Sequence, residues 1–270
     1  MALKCAVVGA NGFLGSALTQ KLFEKKYTVT AVYNNSYSNI DPNIERIKID
    51  DFIFCKNHFD FIFLLLGNYQ CNHQELIEIQ NAIQTILQNN RSSKIIFISS
   101  TNVYGVHNEI ISINSAFNNP TLYPFSKLAA EFLVSSHENY AILRLTYLYG
   151  KGLNNGSFLP NIIKKSRETG EIVLFGDGSR KQDYLHVEDA AELCIKAMES
   201  KENGTYIGAS GVSTSNSEIA KIISARHSSS IKYIGEEAGS SFYFDIKNTQ
   251  DKLNWNPKIN IIEGINNMIL

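Results

Sequence analysis

Short apolar runs alternate along the first half of the chain with longer stretches whose apolar residues recur every three or four positions. The short runs, at residues 3–8, 27–33, 46–49, 60–66, 94–99 and 140–146, predict strands. The longer stretches, at residues 12–25, 75–87 and 122–137, predict helices. Leu14, Ala17, Leu18 and Leu22 share one face of the first helix; Leu76, Ile79, Ile83, Ile86 and Leu87 share one face of the second. Apolar strands separated by helices predict a parallel sheet covered on both faces. Right-handed crossovers then make the fold α/β and doubly wound. Beyond Gly150 the rhythm shortens to a helix near residues 158–168, a strand at 172–174 and a helix near 187–198, broken by Gly, Asn and Ser. The expected organisation is a sheet domain over residues 1–150 and a smaller C-terminal α/β lobe over 151–270, interleaved with the last sheet strands.

Composition narrows the function classes. The 270 residues carry a formal net charge of −1, with 44% hydrophobic and 19% charged residues. That balance predicts neither a nucleic-acid nor an anionic-membrane partner. The longest apolar run, residues 61–66, is far short of the ~18 residues that span a bilayer. Cys5, Cys55, Cys71 and Cys194 are scattered without zinc spacing, and the six histidines show no metal-ligand spacing, so reduced thiols, a cytoplasmic location and no metal are expected.

The first strand leads into Gly9-Ala10-Asn11-Gly12-Phe13-Leu14-Gly15, which opens the first helix. One glycine permits the tight turn, a second lets backbone approach a pyrophosphate, and a third lets helix and strand pack closely. The helix N-terminus offers N–H groups and partial positive charge to phosphates. The turn therefore predicts a dinucleotide site.

Tyr123 and Lys127 stand four residues apart at the start of a predicted helix and so share a face. An ammonium beside a phenol favours the phenolate and draws the phenol from ~10 toward neutrality, which suits a general acid/base. Ser99-Ser100-Thr101-Asn102-Val103-Tyr104-Gly105 follows an apolar strand, at the carboxyl edge where open α/β sheets bind ligands.

The Gly-x-x-Gly-x-x-Gly spacing resembles the short-chain dehydrogenase/reductase superfamily, and the GANGFLGS string resembles its extended, sugar-nucleotide branch. Residues 144–150, 176–190, 217–223 and 253–258 resemble further segments of the NAD(P)-dependent epimerase/dehydratase family, with Asn254 where the family's C-terminal element carries glycine. The resemblance implies a Rossmann domain followed by a substrate lobe. It implies a catalytic set of Ser100, which orients substrate, Tyr123, which passes the proton, and Lys127, which tunes Tyr123 and binds the nicotinamide ribose. It implies cofactor contacts from Gly9, Asn11, Gly12, Phe13, Leu14, Gly15, Asn34, Asp50, Leu65, Tyr123 and Lys127, and substrate contacts from Thr101, Asn102, Arg180 and Gln182. The implied substrate is a nucleoside-diphosphate sugar and the implied assembly a homodimer.

Three departures refine these expectations. Gln182 stands where the family often has a diphosphate-binding arginine, so that affinity falls unless Arg180 or Lys181 substitutes; packing of the small lobe is the competing role for this loop. Tyr33-Asn34-Asn35-Ser36 ends the second strand without the acid that usually holds an NAD ribose, so NADP is the expected cofactor and NAD the alternative. Asp50 reads either as an adenine contact or as a helix N-cap. Thr101 and Asn102 replace the Asp-Glu pair of the similar 4,6-dehydratases, which argues against dehydration. The favoured activity is 4-keto-sugar reduction, with 4-epimerisation as the alternative and a non-catalytic, cofactor-binding regulatory subunit as a reading from another class.

Overall fold

The computed structural model describes residues 2–55, 57–67, 69–70, 72–118 and 120–269. Cys71 lies outside them, and Cys5, Cys55 and Cys194 are free thiols. The first half runs β1 (Lys4–Val8), α1 (Phe13–Glu24), β2 (Thr28–Tyr33), β3 (Glu45–Lys48), α2 (Ile49–Ile53), β4 (Phe61–Leu64), α3 (His73–Asn89), β5 (Lys94–Ser100), α4 (Leu122–Ser135) and β6 (Tyr140–Leu145). The remainder runs β7 (Tyr147–Tyr149), α5 (Phe158–Thr169), β8 (Glu171–Phe175), β9 (Lys181–His186), α6 (Val187–Glu199), β10 (Gly204–Gly208), β11 (Ser213–Ser215), α7 (Asn216–His227), β12 (Ser230–Ile234), α8 (Lys247–Leu253) and α9 (Ile261–Ile269).

The central parallel sheet has the order β10-β6-β5-β4-β1-β2-β3. Its strands are apolar on both sides because both sides are covered. One core joins Cys5, Val7 and Phe63 to Leu14, Leu18 and Leu22 of α1 and to Leu193 and Ile195 of α6. The other joins Val8, Ile62 and Phe97 to Ile83 and Ile86 of α3 and to Ala130 and Val134 of α4. The chain winds outward from β1 to β3, then returns to build β4, β5 and β6 on the other side of β1. The strand order therefore reverses between β1 and β4, and at such a switch point the carboxyl ends of the strands leave a crevice.

The helices begin where local chemistry provides for them. Asn72 and Glu75 form a capping box at α3, and Ser215 and Glu218 form one at α7. The smaller lobe stacks β11-β9-β7 and β12-β8 against α5, α7 and α9 around Leu159, Ile172, Ile219 and Ile265. Between its parts, α6 packs on α1 and β10 enters the main sheet beside β6. Several elements carry no clear alternation or helical period in the sequence: α2, β7 and β9 to β12. Ile49, expected in a strand, opens α2 instead, because the edge strand β3 ends at Lys48.

Candidate functional site

The turn between β1 and α1 is shaped by steric necessity. Gly9 has φ 91°, and a Cβ there would sit 3.0 Å from the Leu65 carbonyl oxygen. The N–H groups of Gly9 and Ala10 donate to Val32 O at 3.0 and 3.1 Å, which pins the turn to β2. A Cβ on Gly15 would lie 2.1 Å from Gly9 O, so only glycine lets α1 sit this close to the turn. Gly12 caps α1 without a side-chain acceptor, and no acid occupies the first turn. The helix start therefore keeps its N–H groups and positive end open to an anion. This cradle, which a side chain would fill, fits a dinucleotide pyrophosphate.

The same cleft is lined by Gly9, Gly12, Phe13, Leu14, Gly15, Leu65, Gly67, Ser99, Ser100, Tyr123, Lys127, Thr146 and Leu148. It brings together most residues expected at the cofactor and all three of the expected catalytic set. Lys127 is buried, and its Nζ donates to Leu66 O at 2.7 Å and Ile98 O at 2.8 Å. Those carbonyls end β4 and β5, so the ammonium is held across the switch-point crevice. The same Nζ lies 5.8 Å from the Tyr123 ring centroid and 5.1 Å from that of Phe97. Ser100 ends β5 and accepts from the Asn102 N–H at 3.2 Å, starting a 3-10 turn at Thr101–Tyr104.

Glu131 continues the helical face of Tyr123 and Lys127 by one more turn. It pairs with Arg144 of β6 through Nη2 at 2.6 Å and Nε at 3.0 Å, and it accepts from Ser99 Oγ. Arg144 Nη1 also donates to the Tyr104 hydroxyl at 2.8 Å. Glu131 and Arg144 are both 6% exposed. Burial raises the Tyr104 phenol above its ordinary range. This network ties β5, β6, α4 and the 3-10 turn together directly beneath Ser100.

Other expected residues lie outside the cleft lining. Asn11 accepts from the Asn39 N–H at 2.8 Å and thereby fastens the loop after β2 over the glycine turn. Asn34 is exposed at the end of β2. Asp50 sits in the first turn of α2, not at its N-cap, which is Lys48; its carboxylate pairs with Lys48 at 2.9 Å. In register Lys48 is opposite Tyr33, so the cation nearest the end of β2 already has a carboxylate partner. Arg46 stacks on Tyr37 at 4.8 Å. Thr101 is buried and directs its hydroxyl to Leu145 O at 3.4 Å, and the half-buried Asn102 supplies its N–H to Ser100. Arg180 and Gln182 belong to the small lobe. With the Gln182 amide oxygen turned to Arg180, it accepts from Nη2 at 2.9 Å and Nε at 3.0 Å.

Sequence reasoning missed Gly67 and the tyrosines of the opposite wall. A Cβ on Gly67, at φ 144°, would come within 2.6 Å of Lys127 Nζ, so glycine makes room for the lysine. A glycine directly after a wholly apolar strand was the available signal. The Tyr69 ring lies 5.2 Å from that of Tyr123, and the half-exposed Tyr147 lies 6.1 Å from Tyr184. Burial, before any neighbouring charge, raises the Tyr147 phenol. Among the described residues no group of three His, Cys, Asp or Glu side chains could hold a metal ion, and no helix is long and apolar enough to cross a membrane.

The sequence pattern of the NAD dependent epimerase/dehydratase family matches residues 5–208. A putative UDP-glucose 4-epimerase of Methanocaldococcus jannaschii is 28% identical over 97% of this chain and 96% of its own. A UDP-N-acetyl-alpha-D-glucosaminuronate decarboxylase of Bacillus cytotoxicus is 27% identical over 77% of this chain and 74% of its own. Among solved structures, MoeE5 in complex with UDP-glucose and NAD superposes with a TM-score of 0.84 at 21% identity, over 98% of this chain and 97% of that one.

Proposed function

The chain belongs to the NAD dependent epimerase/dehydratase family, and on that premise we propose that it epimerises a nucleoside-diphosphate sugar with NAD as cofactor. The observation that carries this reading is the meeting of Ser100, Tyr123, Lys127 and the glycine turn in one cleft at the β1/β4 switch point. When bound, the nicotinamide supplies the hydride acceptor and donor. Tyr123 takes the hydroxyl proton as the sugar carbon is oxidised and returns it on reduction from the other face. Lys127, held by two carbonyls, keeps a positive charge beside the phenol and favours its phenolate form. Ser100 Oγ, at the carboxyl end of β5, orients the sugar oxygen. The Arg180 loop of the small lobe faces the diphosphate.

Epimerisation replaces the reductase favoured by the sequence. The arguments for reduction, Asn34–Asn35 and a compact chain, bear on cofactor choice and size, not on what happens at the sugar carbon. The similarity to a putative 4-epimerase over nearly the full length of both chains supports the alternative. NAD replaces NADP because the family is NAD dependent and Lys48, beside the end of β2, is engaged by Asp50. The exposed Phe125 and Phe132 of α4 and Ile77 of α3 form an apolar face that supports a homodimer, and Phe132→Asp is expected to sediment as a monomer.

The test is Tyr123→Phe, assayed with UDP-glucose and other UDP-sugars. Loss of the proton carrier is expected to lower epimer formation about 10³-fold, with NADH binding within twofold of wild type and tighter than NADPH. Near wild-type turnover in that variant overturns the assignment. Stoichiometric NAD(P)H consumption by the wild type would restore the reductase.

A further inference from the structure

We propose that Glu237 is a specificity determinant of the substrate cleft: its carboxylate holds Arg180 in an ion pair that an incoming diphosphate has to displace. The inference rests on the nucleotide-sugar reading above and concerns how this chain meets the phosphates.

Arg180 is placed on the cleft wall that faces the acid/base tyrosine. Its charge acts on the phenols of Tyr147 and Tyr184, and Tyr147 in turn senses Tyr69, whose ring touches Tyr123. Lys181 follows Arg180 on the next position of an extended chain, so its side chain projects to the opposite face, where its charge acts on Glu218. Gln182 returns to the Arg180 face and brings no charge.

The guanidinium is engaged on all three nitrogens. Nη1 lies 3.7 Å from Glu237 Oε1, Nε donates to Ser240 O at 3.1 Å, and Gln182 accepts from Nη2 and Nε. Residues 237–240 thus form a strap across it. Gly239 is required for that closeness, because a Cβ there would lie 2.3 Å from the guanidinium carbon. The carboxylate is itself held in place: Oε1 accepts from the Gly239 N–H at 2.8 Å and Oε2 from Asn216 Nδ2 at 3.4 Å. The Arg180 and Glu237 side chains are only 28% and 22% exposed. Arg180 and Glu237 sum to zero charge, so a diphosphate meets a neutral pair where the expected contact is a cation. A partly exposed pair of this kind contributes little to folding stability. Its consequence falls on the ligand: substrates whose other contacts are strong displace the carboxylate, and weaker diphosphates are excluded.

The experiment is calorimetric titration of UDP, with uridine as the uncharged control, into wild type, Glu237→Gln, Arg180→Gln and the double variant. Gln at 237 keeps an acceptor for the Gly239 N–H, so the strap is retained. Glu237→Gln is expected to bind UDP at least fivefold more tightly, with uridine unchanged and the gain absent from the double variant. Unchanged or weaker UDP binding in Glu237→Gln, or a gain that persists without Arg180, overturns the proposal. If UDP binds wild type and Glu237→Gln alike, the gate is wrong and the nucleotide-sugar reading stands. If UDP binds none of the four while NADH binding is intact, both fail.

Discussion

The turn at Gly9–Gly15 and the loop at Arg180–Gln182 present positive potential to phosphates in two different ways. The turn uses backbone N–H groups and a helix end, with no acid in the first turn of α1. Its potential comes from covalent geometry and cannot be titrated or swung away. The loop uses one side-chain cation, already paired with Glu237 and Gln182. A backbone cradle serves a cofactor that is always the same. A countered side chain lets one residue elsewhere in the lobe adjust which ligand is accepted.

The largest effect is expected where the same Arg–carboxylate chemistry is buried. Glu131→Ala leaves the Arg144 guanidinium, 6% exposed, without its carboxylate. Breaking such a pair is expected to cost about 3–5 kcal/mol in denaturant unfolding, whereas Glu237→Gln shifts the unfolding free energy by less than about 1 kcal/mol. Equal losses would erase the contrast between a pair that holds the fold and a pair that filters ligands.

A smaller effect tests the backbone cradle. Gly15→Ala forces a Cβ toward Gly9 O, so α1 has to move away from the turn. The expected outcome is a stability loss of about 1–3 kcal/mol and at least tenfold weaker NADH binding by fluorescence titration. Unchanged NADH affinity would mean that the spacing of α1 from β1 does not set the phosphate site.

The smallest effect is a pH dependence at the start of α6, below the cleft. His186 Nδ1 accepts from the Glu188 N–H at 3.2 Å, which requires the neutral ring. Burial lowers its pKa, outweighing Asp189, Glu188 and Glu263, which raise it. The stabilisation by the neutral cap is therefore present above the ordinary histidine value of ~6.5 and is lost as pH falls through the lowered folded value. His186→Asn keeps a cap acceptor that does not titrate. On acidification from pH 7.5 to 5, wild type is expected to lose about 1 kcal/mol more than this variant. Parallel melting curves would remove His186 from the pH response.

The legible part of the molecule is where function follows from neighbours in sequence. Gly9 to Gly15 at a strand–helix junction, and Tyr123 with Lys127 one helical turn apart, need only local geometry to be read. Asp50 shows the limit. Its role depended on where β3 ends and on Lys48 beside it, and neither is visible in periodicity because the edge strand is mostly exposed. Gly67 and Tyr69 were missed for a related reason: their partners, Lys127 and Tyr123, lie more than fifty residues away.

Periodicity and the spacing of glycine, tyrosine and lysine determined the doubly wound sheet, the phosphate-facing turn and the acid/base pair, because each arises within a few residues of chain. Tertiary structure alone decided which carbonyls hold Lys127, that Glu131 and Arg144 brace the cleft from below, and that Glu237 meets Arg180. Those are contacts between distant segments, and packing and desolvation select them only after the sheet has brought the segments together.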